Sequence, residues 1–401
     1  MKKIELLAPA KDLFKAKIAI LYGADAVYVG GTSFSLRSRA SNFTLEDLKE
    51  LSSFAKARGA KVYVTVNIVF HNSDLVGLRE YLLTLEAIGI DAIIVSSLSV
   101  ASLSKQIAPN MEVHISTQLS VLNSSACKTL SLWGADRVVL AREASMEDIA
   151  AIARKSDLPL EVFIHGGMCS NYSGRCVLSN RMSGRDANRG GCAHCCRWRY
   201  HVFENNIRIS DDQTLLTMSS KDLRASAYVE DMIYAGVASL KIEGRMKSEY
   251  YIAQVVRTYR KMIDEIYEKG SLTKEALEYY DSELAKAENR PADDGFLSGK
   301  CGSDKHLYEE TDHVTHEYAA YVRNYDPKRS LALIEVKNRF SEGDELEVIS
   351  PKETRTFKAV LLFDENWKEV TYANKAMQLL YMRVPFEVHN GDMMRKASHD
   401  R

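Results

Sequence analysis

Residues 61–96 read KVYVTVNIVFHNSDLVGLREYLLTLEAIGIDAIIVS. Two apolar, β-branched runs, Lys61–Ile68 and Ala92–Ser96, bracket an amphipathic stretch of helical length, Leu75–Ile88. Near-continuous apolar character is the habit of parallel strands covered on both faces, while a helical apolar period marks the element that covers them. The turn Gly89-Ile90-Asp91 separates helix from second strand, with Gly as the helix stop because it takes the left-handed conformation at least cost. The stretch is a βαβ unit.

The unit recurs outward in both directions. Apolar runs lie at Ile4–Ala8, Ala26–Gly30, Val113–Thr117, Arg137–Ala141, Leu160–His165 and Ser239–Glu243, with helical patterns at Leu45–Arg58 and Met146–Lys155. Turns of the same make, Gly23-Ala24-Asp25 and Gly134-Ala135-Asp136, precede two of the strands. Eight such runs predict an α/β fold of the (β/α)8, TIM-like type. A doubly wound open sheet is the alternative, disfavoured because no G-x-G-x-x-G follows the first strand. The interval from about 166 to 236 breaks the rhythm and reads as an insertion after the seventh strand, at the barrel face where loops carry function. Residues 1–288 are thus expected to form the barrel, 289–304 a polar linker, and 305–401, with short alternating strands such as Ser330–Lys337 and Asp344–Ile349, a small C-terminal β-barrel.

With 53 basic and 54 acidic residues the chain carries no strongly basic coat, which leaves room only for a local patch toward nucleic acid. The start MKKIELLAPAKDL lacks a secretory pattern, and no run reaches the roughly 18–20 apolar residues of a membrane span, so a cytoplasmic protein without membrane contact is expected. In a reducing compartment clustered cysteines bind metal or react rather than pair. Five of the seven cysteines fall in 169–196, CSNYSGRCVLSNRMSGRDANRGGCAHCC. Four thiolates from loops suit an iron–sulfur cluster, expected as 4Fe–4S, or a tetrahedral zinc, and free thiols in a mobile loop are the bland reading. The preferred ligands are Cys169, Cys176, Cys192 and Cys196, with Cys195 able to replace Cys196. Around them stand Arg175, Arg181, Arg185, Arg189, Arg197 and Arg199 against one acid, Asp186, a patch suited to RNA phosphates, with Tyr172 and Trp198 for base stacking. A solvated loop whose arginines pair elsewhere is the equal alternative.

The string HGGMCSNYSGRCVLSNRMSGRDANRGGCAHCCRW, followed by SSKDL and SLKIEGRMKSEYY, resembles the collagenase-like peptidase family (U-thirty-two). ELLAPA, YGADAVYVGG and FSLRSR extend the resemblance to the amino end, and VKNRFSEGDELEVISP carries it into the C-terminal region. Within that family the pattern is most similar to its tRNA hydroxylation branch. The resemblance implies 5-hydroxylation of the wobble uridine in the tRNA anticodon loop, with prephenate as co-substrate and an iron–sulfur cluster as cofactor. Some members carry a cluster cysteine beyond the KDL motif; here Arg224 follows it, so Cys196 completes the set or one iron stays open.

Polar residues at the carboxyl ends of barrel strands form the expected catalytic rim. Glu243 and His165 are candidates to move protons, and Arg245 completes the catalytic set. Arg142, Lys241 and Arg245 suit the carboxylates of prephenate, and Arg37, Arg39, Arg175, Arg185 and Arg189 the phosphates of RNA. A structural salt bridge is the alternative for each. His114, between Val113 and Ile115, reads as a core histidine. Without H-E-x-x-H or G-x-S-x-G, proteolysis is the lesser reading, and a non-enzymatic iron–sulfur scaffold needing a partner protein is a third.

Overall fold

The computed structural model of the chain describes residues 3–36, 42–213, 215–300, 302–307 and 314–397. Eight parallel strands close into a barrel: β1 (Glu5–Pro9), β2 (Ala26–Gly30), β3 (Lys61–Val66), β4 (Ala92–Val95), β5 (Glu112–Ile115), β6 (Arg137–Val139), β7 (Leu160–Gly166) and β8 (Ser239–Ile242). Closure comes from β8, where Ser239 stands opposite Glu5 on one side and Glu161 on the other. Helices α1 (Leu13–Leu21), α2 (Leu45–Lys56), α3 (Leu78–Ala87), α4 (Leu98–Ile107), α5 (Ser124–Leu132), α6 (Met146–Ala153), α7 (Val229–Tyr234) and α8 (Glu249–Lys269) follow the strands in turn. No helix among the described residues is long and apolar enough to cross a membrane.

The repeated Gly-x-Asp turns do two jobs. Gly23, Gly89 and Gly134 sit at φ of 107°, 79° and 88°, which ends each helix. Two residues on, the carboxylates of Asp25, Asp91 and Asp136 accept the backbone N–H of Leu6, Val62 and Val113, at 2.8, 2.8 and 2.7 Å. Each turn therefore fastens the strand it introduces to its predecessor. At the amino ends Thr44 and Ser145 close reciprocal capping boxes with Asp47 and Asp148.

The barrel lumen carries a charged network beside a small buried cluster of Leu7, Ala26, Tyr28, Tyr63, Ala92 and Ile94. Arg137 bonds Glu5 at 2.5 Å and Glu161 at 3.2 Å, Glu161 bonds Lys241 at 2.8 Å, and Tyr63 bonds Glu5 at 2.6 Å. His114 is fully buried, with Nε2 2.9 Å from Glu112 and its ring edge-on to Tyr63.

Residues 289–304, expected as a linker, fold onto the barrel: Ala292 and Asp293 pair with Asp222 and Leu223, which continue the sheet antiparallel to β7, and Leu297 is buried. The C-terminal domain is an antiparallel half-barrel built from β9 (His316–Asp326), β10 (Leu331–Val336), β11 (Glu345–Ile349), β12 (Thr354–Lys358), β13 (Val360–Phe363), β14 (Leu379–Arg383) and β15 (Met393–Ala397), in the order β12-β11-β15-β9-β10-β14-β13. It docks on the barrel through buried polar contacts. Tyr22 donates to the carbonyls of Ile349 and Gly391, and Arg395, fully buried, meets Glu283 of helix α9 (Lys274–Ala285) at 3.0 Å.

Candidate active site

The cysteine segment lies over the carboxyl ends of the strands, and four ties from the barrel loops hold it there. Val69 N–H donates to the Asn188 carbonyl at 3.0 Å, and Arg189 grips Asp74. Ser120 donates to the Ser173 carbonyl at 2.6 Å, and Ser173 N–H donates to Glu143 at 2.8 Å. Within the segment a six-residue helix, Leu178–Ser183, presents Ser179, which receives the Ala193 N–H and donates to the Cys195 sulfur at 3.9 Å. Cys195 is thereby packed inward and buried, while Cys169 and Cys192 are exposed and Cys176 and Cys196 half-buried.

The other four thiols lie near one another. Cys169 lies within electrostatic reach of Cys192 and Cys196, and Cys196 within reach of Cys192 and Cys176. Loss of solvent around the Cys169 sulfur pushes its pKa up, although the residue as a whole is exposed; Arg142 opposes this, and the neighbouring thiols and Glu243 add to it. Burial also raises Cys196, against Ser170 and Arg197. Among the described residues no group of three or more His, Cys, Asp or Glu side chains is arranged to hold a metal ion. By donor chemistry the segment suits a four-thiolate centre, since four of its five cysteines are not buried and only Cys195 is packed away on Ser179.

The barrel rim supplies the neighbours. Arg142 donates to the Gly167 carbonyl at 2.7 Å and lies over the Phe163 ring at 4.0 Å. A Glu243 carboxylate oxygen accepts from the Tyr28 hydroxyl at 2.9 Å; that hydroxyl is also 3.0 Å from the Ile242 carbonyl. Gly166, at φ 102°, lets Glu243 come alongside, since a Cβ there would stand 2.2 Å from the Glu243 carbonyl oxygen. Arg245 is buried and donates to Ser35 at 3.4 Å and Asn42 at 3.2 Å. Tyr28 was not singled out from the sequence, because a tyrosine inside an apolar strand carries no separate signal.

Several expected site residues are placed elsewhere. His165 is turned out of the lumen by a register shift in which Phe163 and His165 oppose the consecutive residues Lys241 and Ile242. Its Nδ1 lies 3.2 Å from the Tyr259 hydroxyl and its ring packs on Tyr251 and Tyr259 of α8. Burial, then Arg224 and Lys247, pull its pKa down to about 3, so the ring is neutral and poorly suited to proton transfer. Lys241, expected at a substrate carboxylate, is engaged by Glu161 and lies over the Tyr28 ring at 4.4 Å. Arg189, expected on a phosphate, is held by Asp74 and by the Val69 carbonyl at 2.8 Å. Arg185 is exposed, and Arg175 donates to Ser120 at 3.3 Å. Tyr172 and Trp198 are also exposed. Arg37 and Arg39 lie outside the described residues.

Comparison with known proteins agrees over the whole length. The family model Peptidase family U32 matches residues 11–307, and Peptidase family U32 C-terminal domain matches residues 314–395. The chain is 42% identical over 406 residues to tRNA hydroxylation protein P1 of Bacillus subtilis, covering 99% of this chain and 95% of that protein. It is 35% identical to the 23S rRNA 5-hydroxycytidine synthase of Escherichia coli, covering 89% of this chain and 54% of that protein. A protein named collagenase from Porphyromonas gingivalis is 33% identical, with 86% of each chain covered. Sequence, barrel and C-terminal domain together place this chain in peptidase family U32.

Proposed function

We propose that this chain is a cytoplasmic RNA-modifying enzyme that hydroxylates the wobble uridine of tRNA, with prephenate as co-substrate and an iron–sulfur cluster held by Cys169, Cys176, Cys192 and Cys196. One observation carries the reading: four of the five segment cysteines each lie within electrostatic reach of another of the four, Cys169 also of Arg142 and Glu243 of the barrel rim, while Cys195 is buried on Ser179. The names of the relatives support RNA hydroxylation as the reaction class. When bound, the cluster supplies redox or Lewis-acid chemistry at an iron.

The chain's own residues supply the rest. Exposed Tyr172 and Trp198 offer ring faces to an unstacked base, and Arg175 and Arg185 offer charge to its phosphates. A uridine must leave its stack to be reached at all, which favours an anticodon loop over a duplex. Arg142, beside Cys169, is placed for a carboxylate of the co-substrate, and Glu243 with Tyr28 holds or yields a proton next to it.

The test is anaerobic purification followed by iron and sulfide analysis, then incubation with prephenate and unmodified tRNA. Stoichiometric iron and sulfide, with the mass of one added oxygen atom at the wobble uridine, is the expected result. A colourless chain that cleaves gelatin would return the peptidase reading. A loaded chain active only with a second protein would make it a scaffold subunit.

A further inference from the structure

The outer face of the C-terminal sheet carries a row of rings. Leu333 of β10 stands opposite Tyr381 of β14, which stands opposite Phe363 of β13. Their neighbours Ala332, Ile334, Leu362, Leu380 and Met382 are buried in the domain core, so strand alternation turns the row outward. Trp367, in the turn that leaves β13, lies flat on Tyr381, with ring centres 4.5 Å apart and 12° between the planes. Phe363 is 6.2 Å from the indole, and the Arg329 guanidinium is 5.7 Å over it. Half of Trp367 stays exposed. Arg383, two residues along β14 from Tyr381 and so on the same face, is exposed as well.

The backbone supports this display at a cost. Trp367 sits at φ 61°, a conformation natural for glycine and uncommon for a bulky side chain; Ser330, next to Arg329, and Leu361, on β13, are also left-handed at 53° and 51°. The turn is fixed by Asp364, whose carboxylate accepts the N–H of Asn366 and Lys368 at 2.9 Å each. Strain held in a fixed turn to keep a large ring half out in water points to a use for the ring. Folding alone would place a glycine or asparagine there.

We propose that this face is a second RNA-contacting surface, on which an unpaired base stacks on the open side of Trp367 and Arg329 and Arg383 meet the flanking phosphates. The proposal rests on the reading of RNA as substrate. Every base offers a π-face, and rings interleaved with guanidinium groups are the pairing that suits bases joined by phosphates. The carboxylate of Asp364 is engaged within the turn, Asp326 meets Arg329 only at 3.9 Å, and, among the described residues, Glu369, opposite Phe363 on the same face, forms no ion pair with Arg329 or Arg383. The sheet that carries this face also meets the barrel. From Leu333, β10 leads in four residues, about 13 Å at the strand rise, to Lys337, which bonds Glu249 at 2.9 Å in the first turn of α8, just past the carboxyl end of β8.

The test measures binding of a labelled tRNA transcript to the full chain and to its Trp367→Ala, Trp367→Phe and Arg329→Ala variants, over a salt series. Trp367→Ala is expected to weaken binding about ten-fold, and Trp367→Phe to restore most of it. Arg329→Ala is expected to lower affinity and reduce the salt slope by about one phosphate contact. If Trp367→Ala fails to fold, the exposed Arg329 and the conservative Trp367→Phe still decide. Tight binding by wild type that neither Trp367→Ala nor Arg329→Ala weakens overturns the surface. A wild-type chain that binds no tRNA instead sinks the substrate reading beneath it. Loss of self-association or of a protein partner in Trp367→Ala, with RNA affinity intact, makes the face a protein interface and likewise ends the proposal.

Discussion

Arg189 holds Asp74 with both terminal nitrogens of its guanidinium and so ties the cysteine segment to the loop after β3. Hydrogen bonding from Arg189, before any other cause, lowers the Asp74 pKa to about 2. A depressed carboxylate pKa contributes stability that is present above the unfolded value of 3.8 and lost as pH falls toward 2. Asp74→Asn is expected to loosen the segment at neutral pH by about 1–2 kcal/mol, since the pair is partly solvated. Hydrogen exchange of residues 186–191 should rise while the barrel strands stay protected; unchanged exchange would show that the other ties suffice.

Cys195 and Cys196 are adjacent, yet only Cys195 is packed on Ser179. Cys196→Ser is expected to lose the iron of the anaerobically purified protein, and Cys195→Ser to keep it with a modest loss of stability, about 1 kcal/mol. Iron analysis of both variants checks this. Retention by Cys196→Ser with loss by Cys195→Ser would reverse the ligand assignment.

Glu161 is fully buried and faces both Lys241 and Arg137. Burial alone would raise its pKa, but Lys241 and Arg137 outweigh that and hold it ionised. Glu161→Ala leaves buried Lys241 without its carboxylate and Arg137 with Glu5 alone, and should cost about 3–5 kcal/mol in denaturant unfolding. A variant as stable as wild type would mean that Glu5 alone balances the lumen.

His165 titrates in the unfolded chain near 6.5 but is held down to about 3 in the fold. Between those values the unfolded state binds the extra proton, so stability is full above pH 6.5 and falls on acidification by about 1.4 kcal/mol per pH unit. His165→Phe should flatten that slope in urea midpoints measured from pH 7 to pH 5. An unchanged slope would assign the acid sensitivity to other groups.

Tyr28 positions the Glu243 carboxylate from across the barrel mouth. Tyr28→Phe is expected to reduce turnover roughly 10–100-fold, the cost of a misplaced group, while leaving tRNA affinity unchanged. Equal losses in turnover and binding would point to a collapsed rim instead.

The strand and helix alternation is local information, and it was legible: apolar runs of period one or two, helical stretches of period 3.6 and Gly-x-Asp turns specify eight βα units before any contact forms. The grouping of five cysteines in one segment is likewise a property of the chain, because its members are close in sequence. The direction of a side chain was not. A single skipped residue at Ile164 turns His165 from the lumen to the outer helix, and such a shift depends on the partner strand rather than on nearby sequence. Nor could spacing show which charges meet. Lys241 finds Glu161, 80 residues away, and Arg189 finds Asp74, 115 residues away, so two expected ligand-binding cations became structural ones. Which of Cys195 and Cys196 is packed inward was also left to the fold, since adjacent residues differ only in which way the backbone turns them. Residue type and period determined the architecture and the place of the site; long-range pairing alone decided which of its charged groups remain available for chemistry, because burial makes an opposite charge obligatory wherever the fold brings one near.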